Sequence, residues 1–227
     1  MGERAVGEKS TDQELTTMQA LLARSIEEGA IGFSTTVSQT HNDADGNPVP
    51  SRWADHSEIV ALGAVVKDYP GTALELLPNL DFGAGIPELM ADLSVAGNRP
   101  VNWNVLSVNG RTDAARVADF MLSQSDFARE RGGEVIALTV PCTPELFMNL
   151  RSGAGWDSNH GLWRELFKYP LAERIAKLKD TEVRRHLAKD AARMDRDSIL
   201  FFLANIPEYS VVETHTPEFK RYEGRKL

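Results

Sequence analysis

The chain has 227 residues, enough for one sizeable core, with 25 Lys and Arg against 33 Asp and Glu and a net charge of -8. That acidic balance repels phosphate backbones and leaves no basic stripe, which argues against a nucleic-acid partner. The single cysteine, Cys142, excludes an internal disulfide, and no apolar run approaches the ~20 residues that cross a bilayer. The first residues, Met1-Gly2-Glu3-Arg4-Ala5, lack the apolar centre of a signal peptide, so a reducing, cytoplasmic setting is expected.

Thr11 and Glu14 have capping-box spacing, and Leu15, Met18, Leu22 and Ile26 recur at helical intervals up to Gly29. This predicts an amphipathic helix feeding a strand from Ile31 to Thr35. Asp55 and Glu58 repeat the capping signature, Ile59, Leu62, Val65 and Val66 form the next apolar stripe, and Pro70-Gly71 precedes a strand at Thr72–Leu77. Helix is expected over Ile86–Ala96, a turn at 97–100, strand over Val101–Ser107, helix over Thr112–Arg131, and strand over Glu134–Val140. Four helix-strand alternations imply a parallel sheet covered by helices. Beyond Pro141 the pattern changes. A loop is expected at Ser152–Asp157, and mostly helix over Leu162–Met194, broken near Pro170 and Asp180-Thr181. A short apolar run of open type follows at Ser198–Asn205, and a fifth strand at Tyr209–Glu213. With no repeat or flexible linker, the expectation is one unit over 1–227, regular to 140 and loop- and helix-rich from 141 onward.

In parallel α/β folds reactive groups gather at the carboxyl ends of strands. The candidates by that rule are Ser34, Thr35, Asn79, Asp81, Asn104, Ser107, Thr139, Cys142, Thr214 and His215, with His41 in the loop after the first strand. His41 is either a mobile imidazole that reaches a ligand or a solvated residue of a turn with Asp43 or Asp45. His56, His160 and His186 read as structural or solvated. The stretch Asp43-Ala44-Asp45-Gly46-Asn47 puts its glycine at the wrong position for an EF-hand and reads as a turn. Gly83-Ala84-Gly85 lacks the rest of any phosphate-binding motif. Cys142 has no base at a recognisable spacing and reads as a packed thiol.

The segment Glu28-Gly29-Ala30-Ile31-Gly32-Phe33-Ser34-Thr35-Thr36 and the polar loop Thr40-His41-Asn42-Asp43-Ala44-Asp45-Gly46-Asn47-Pro48-Val49-Pro50-Ser51-Arg52 carry a family likeness. So do Leu150-Arg151-Ser152, Trp163-Arg164-Glu165-Leu166, Pro170-Leu171-Ala172-Glu173-Arg174 and Arg221-Tyr222-Glu223-Gly224-Arg225. In this order they resemble the N-acyl-D-amino-acid deacylase branch of the amidohydrolases. The resemblance implies a metal-dependent (β/α)8 barrel that hydrolyses linear amides such as N-acyl-D-amino acids, with zinc in the parent enzyme. Such barrels carry a His-x-His pair on their first strand, and none occurs in these 227 residues. The chain therefore resembles an interior portion, the fourth to seventh βα units: a partial barrel of about five strands. Its first periodic element is a helix and it stops just past a glycine turn, which points the same way.

In relatives, two strands of this region carry metal-binding histidines. The matching stretches here, Thr72–Pro78 and Pro100–Leu106, have Glu75, Asn102 and Asn104 but no histidine. The chain alone is thus expected to hold no zinc and to be inactive. Ser34, Thr35, His41, Asn79, Asn104, Ser107 and His215 are its candidate substrate contacts, and an N-acyl amino acid or related amide is the partner. Self-association is also expected, because an incomplete barrel leaves two sheet edges and an apolar inner face. Two rivals stand beside this reading. One is a binding or assembly module that keeps the fold without the metal site. The other is a small α/β hydrolase using Ser34 or Cys142, although no Gly-x-Ser-x-Gly elbow is present.

Overall fold

The structure, a computed structural model, describes the chain except for residues 44–46, 80–81, 84, 107–112, 143–144, 154–155, 157–160 and 195–200 and the side chain of Phe202. It forms two compact units, one of Met1–Asp43 with Asn47–Thr143 and one over Pro144–Leu227.

The first unit alternates helix and strand. Its elements are α1 (Asp12–Glu27), β1 (Gly32–Thr36), α2 (His56–Ala64), β2 (Ala73–Leu77), α3 (Ile86–Gly97), β3 (Val101–Asn104), α4 (Ala114–Glu130) and β4 (Val135–Leu138). The capping box that starts α1 is present. Thr11 Oγ1 accepts from the Glu14 N–H, and Glu14 accepts from the Thr11 N–H. All strands are parallel and lie in chain order β1-β2-β3-β4. The third and fourth strands are shorter than the apolar runs that predict them.

The pleat divides this sheet into two faces. Thr35, Leu76 and Trp103 share one row, and Phe33, Leu74, Val101 and Val135 another. Leu74, Leu76, Val101 and Trp103 are fully buried with Met90 and Leu93 of α3, and Ile59 and Val66 join them. Burying each such side chain contributes about 1.5–3 kcal/mol. Close approach makes this layer possible. A Cβ on Gly63 would lie 2.1 Å from Leu93 Cδ1, and one on Gly97 would lie 2.6 Å from Leu74 Cδ1 and 3.0 Å from the Gly63 carbonyl. Phe82 closes the core edge-on against Trp103, with ring centroids 4.9 Å apart.

The second unit contains α5 (Leu162–Leu166), α6 (Leu171–Lys179) and α7 (Thr181–Ala191), followed by short 3-10 turns. The breaks fall where the sequence places them. Pro170 precedes α6, and Asp180 caps α7 by accepting from the N–H groups of Glu182 and Val183 at 2.7 and 3.4 Å. Trp156 stacks on Trp163, whose indole N–H donates to the Leu187 carbonyl at 2.9 Å. Arg174, 8% exposed, donates to the carbonyls of Leu150, Arg151, Phe167 and Tyr169 at 2.5–3.2 Å.

The expected fifth strand at Tyr209–Glu213 is a correction. This segment joins no sheet and makes a single isolated antiparallel bridge, Ser210 with Lys226. Its main chain is satisfied locally instead: the Val211 N–H bonds to Arg225, Gly224 to Val211 and Leu227 to Tyr209, at 2.7–3.0 Å. Pro207 and Pro217 start 3-10 turns on either side and leave no room for a longer strand. The parallel sheet thus has four strands among the described residues. Of the apolar run at Ser198–Asn205, the described part holds one 3-10 turn, Phe201–Leu203.

Candidate functional site

The face of the sheet away from the buried row carries Ser34, Glu75, Asn102 and Ile136 in one register line, with Thr36, Leu77, Asn104 and Leu138 in the next. Ser34 is exposed, Glu75, Asn102 and Asn104 are half-buried, and Ile136 and Leu138 are 40% and 39% exposed. On this face polar side chains converge on one carboxylate. Ser34 Oγ donates to Glu75 Oε2 at 3.3 Å, and the Asn104 side-chain amide donates to Glu75 Oε1. Asn102 spends its amide on the Leu74 carbonyl at 3.2 Å.

A carboxylate has about four lone-pair positions, and two donors leave it oriented with acceptor capacity to spare. Held on a part-apolar wall, Glu75 can accept from an amide N–H or an ammonium group. Ser34 and Asn104 lie beside it as further polar contacts.

The sequence candidates divide accordingly. Ser34 and Asn104 are brought together through Glu75. Thr35 is not among them, because the pleat puts it in the row of Leu76 and Trp103, on the helix-facing side. Asn79 fixes architecture at the carboxyl ends of β1 and β2: its Oδ1 accepts from the Gln39 N–H at 2.8 Å and ties the two loops together. His41 is exposed in the loop that leaves β1 at that end. Its carbonyl accepts from Arg52 at 3.2 Å, and Asp43 accepts from the Asn47 N–H at 2.8 Å; the turn expected between them lies outside the described residues. Thr139 Oγ1 donates to the Leu106 carbonyl at 3.0 Å, and Cys142, expected to be a packed thiol, is instead exposed and free. Ser107 and Asp81 lie outside the described residues.

His215 belongs to the second unit and is exposed. Next to it, the Thr214 N–H and hydroxyl donate to Glu223 at 2.8 and 2.9 Å, and these bonds, the backbone one first, hold the Glu223 carboxyl below the usual carboxylate range. Also in that unit, an open groove of about 380 Å³ is lined by Leu162, Val183, Glu182, Arg185, His186 and Lys189. His186 there lies 3.6 Å from the buried carboxylate of Asp190, which accepts from the Leu162 N–H at 2.9 Å.

Glu75 was the residue least visible as a site component in the sequence. Its signal is period two: in Ala73-Leu74-Glu75-Leu76-Leu77 it is the one charged residue, opposite in phase to Leu74 and Leu76.

Zinc, implied by the resemblance, makes demands that this donor set does not meet. A catalytic zinc takes three protein ligands from histidine, cysteine or carboxylate. Glu75 is one carboxylate flanked by a hydroxyl and an amide, and no group of three His, Cys, Asp or Glu able to hold a metal occurs among the described residues. These residues do not fit the ion. No described helix is long and apolar enough to cross a membrane. No protein-family model, curated protein or solved structure matches this chain.

Proposed function

We propose that this chain is an interior portion of a (β/α)8-type amidohydrolase acting on linear amides such as N-acyl-D-amino acids, and that its part is to contact the substrate. The supporting observation is the Ser34–Glu75–Asn104 cluster on the face of a chain-ordered parallel sheet turned away from its buried apolar row. In a barrel that face is the interior, and substrate sits toward the carboxyl ends of its strands. Glu75 accepts from the substrate's amide N–H, or from the amine after cleavage. Asn104 and Ser34 hold its carboxylate in place. Leu77, Ile136 and Leu138 supply the apolar wall against which the acyl chain or side chain packs.

Titration of the isotope-labelled chain with N-acetyl-D-amino acids tests this reading. Saturable shifts at Ser34, Glu75 and Asn104, weakened about tenfold by Glu75→Gln, are the expected result, since a hydrogen bond to a charged group is worth about 1.5–3 kcal/mol. Binding that Glu75→Gln leaves unchanged overturns it.

The binding-module reading is favoured by one observation: where relatives carry histidines on two strands, Glu75, Asn102 and Asn104 stand here. The two readings part in an amine-release assay on the natural full-length protein with zinc supplied. Turnover supports the amidohydrolase, and binding without turnover supports the module.

A further inference from the structure

In the second unit, Asp190 fixes how α5 meets α7. Its carboxylate, 5% exposed, accepts from the Leu162 N–H at 2.9 Å, and the chain comes so close there that a Cβ on Gly161 would lie 2.4 Å from Asp190 Oδ2. The Trp163 indole, bonded to the Leu187 carbonyl, locks the same two helices a second time. The groove along them is therefore built into the fold. At about 380 Å³ it falls within the ~300–1,000 Å³ of small-molecule sites. Its floor is Leu162 and Val183, both half-buried and packed on the core of Trp156, Trp163, Leu166 and Leu187. Its polar wall is one stripe of α7, because Glu182, Arg185, His186 and Lys189 recur at three- and four-residue spacing.

Charge decides what this groove suits. At one end of the stripe Arg185 is paired with Glu182. At the other, Lys189 is exposed and makes no ion pair among the described residues, and His186 lies one helical step away. Asp190 does not cancel this end, since it is buried and has Arg193 3.6 Å from Oδ1 as well as His186 3.6 Å from Oδ2. Residues 181–193 hold four Lys and Arg against two Asp and Glu, a positive segment on a chain of net charge -8. We propose that the groove binds a small monocarboxylate with an unbranched apolar chain. The carboxylate sits between Lys189 and His186, and the chain lies over Val183 and Leu162. From Glu182 to Lys189 the stripe runs about 10 Å along the helix axis, which suits a short acyl chain. A neutral head group leaves the Lys189 charge unmatched, and an ammonium head is repelled by it. This site goes beyond the proposed amide hydrolysis and does not rest on it.

The test is titration of the isotope-labelled chain with hexanoate, hexanamide, hexylammonium and acetate, followed at Leu162, Val183 and Lys189. Saturable shifts confined to those residues and their neighbours are expected with hexanoate. It should bind about threefold tighter than hexanamide, the scale of one exposed ion pair, and at least about tenfold tighter than acetate, which lacks the apolar chain. Lys189→Gln, at an exposed position, should erase the advantage over hexanamide and leave the far-UV spectrum unchanged. Glu75→Gln should leave hexanoate binding as it is, which separates this site from the one proposed on the sheet. Hexylammonium or acetate binding as tightly as hexanoate overturns the proposal. So does hexanoate binding that Lys189→Gln leaves unchanged or that Glu75→Gln abolishes, and so do shifts that never saturate. Tighter binding of a short peptide of leucine and glutamate also overturns it and assigns the groove to a protein partner.

Discussion

The two units are held together by different physics. In the first, the core is a row of apolar side chains dictated by the pleat, with Leu74, Leu76, Val101 and Trp103 fully buried. In the second, a buried guanidinium does the organising. Arg174 lies 4.9 Å over the Phe167 ring and gathers four carbonyls from segments around 150 and 168. An apolar row tolerates modest changes of shape, but a polar hub fails when its donors are lost, because each orphaned carbonyl costs desolvation energy.

The sharpest way to break this comparison is to remove one anchor from each side. Trp103→Ala is expected to cost about 3–5 kcal/mol and to strip hydrogen-exchange protection from α3, β2 and β3. Arg174→Met keeps the bulk but removes the donors. It should cost about 3 kcal/mol, with protection lost around Leu150 and Tyr169, and Arg174→Lys should not restore it because an ammonium cannot span four carbonyls in a planar fork. Equal protection loss in both units from either change would show that the two cores are not separately organised.

Smaller changes sharpen the comparison. Thr11→Ala removes the N-cap of α1 and should cost about 1 kcal/mol, read by chemical denaturation. Acid should reach the second unit through Glu223. Its folded carboxyl value is lowered by Thr214, so its contribution is complete above the ordinary carboxyl range and is lost as pH falls through the lowered value. Protection of the Thr214 amide relative to its intrinsic exchange rate should fall over that acid interval in the native chain, and Glu223→Gln should abolish the dependence.

The same contrast decides what could be read from sequence. The alternation of the first unit was legible because hydrophobic period and turn residues encode it locally, as Thr11 with Glu14 and Pro70-Gly71 did. The breaks at Pro170 and Asp180 were legible for the same reason. Tyr209–Glu213 misled because an apolar five-residue run looks the same whether it joins a sheet or folds back on Gly224 and Arg225. Arg174 was visible only as part of a motif, and nothing local says that it meets Leu150 and Arg151, the other motif in its neighbourhood. Among the candidates, strand position pointed to Ser34 and Asn104, which the structure brings to one carboxylate. It did not single out Glu75, to which both donate, and it set Thr35 beside them although the pleat turns Thr35 to the other face, because a list of strand-end residues ignores the phase of the pleat.

The most direct test of the function proposed for the polar sheet face is a paired measurement on Glu75→Gln: unfolding free energy and affinity for an N-acetyl-D-amino acid. Gln keeps the size and one acceptor, so stability should change by about 1 kcal/mol or less while affinity falls about tenfold. A variant that loses several times that stability, or binds as the native chain does, would contradict it and make Glu75 a structural residue.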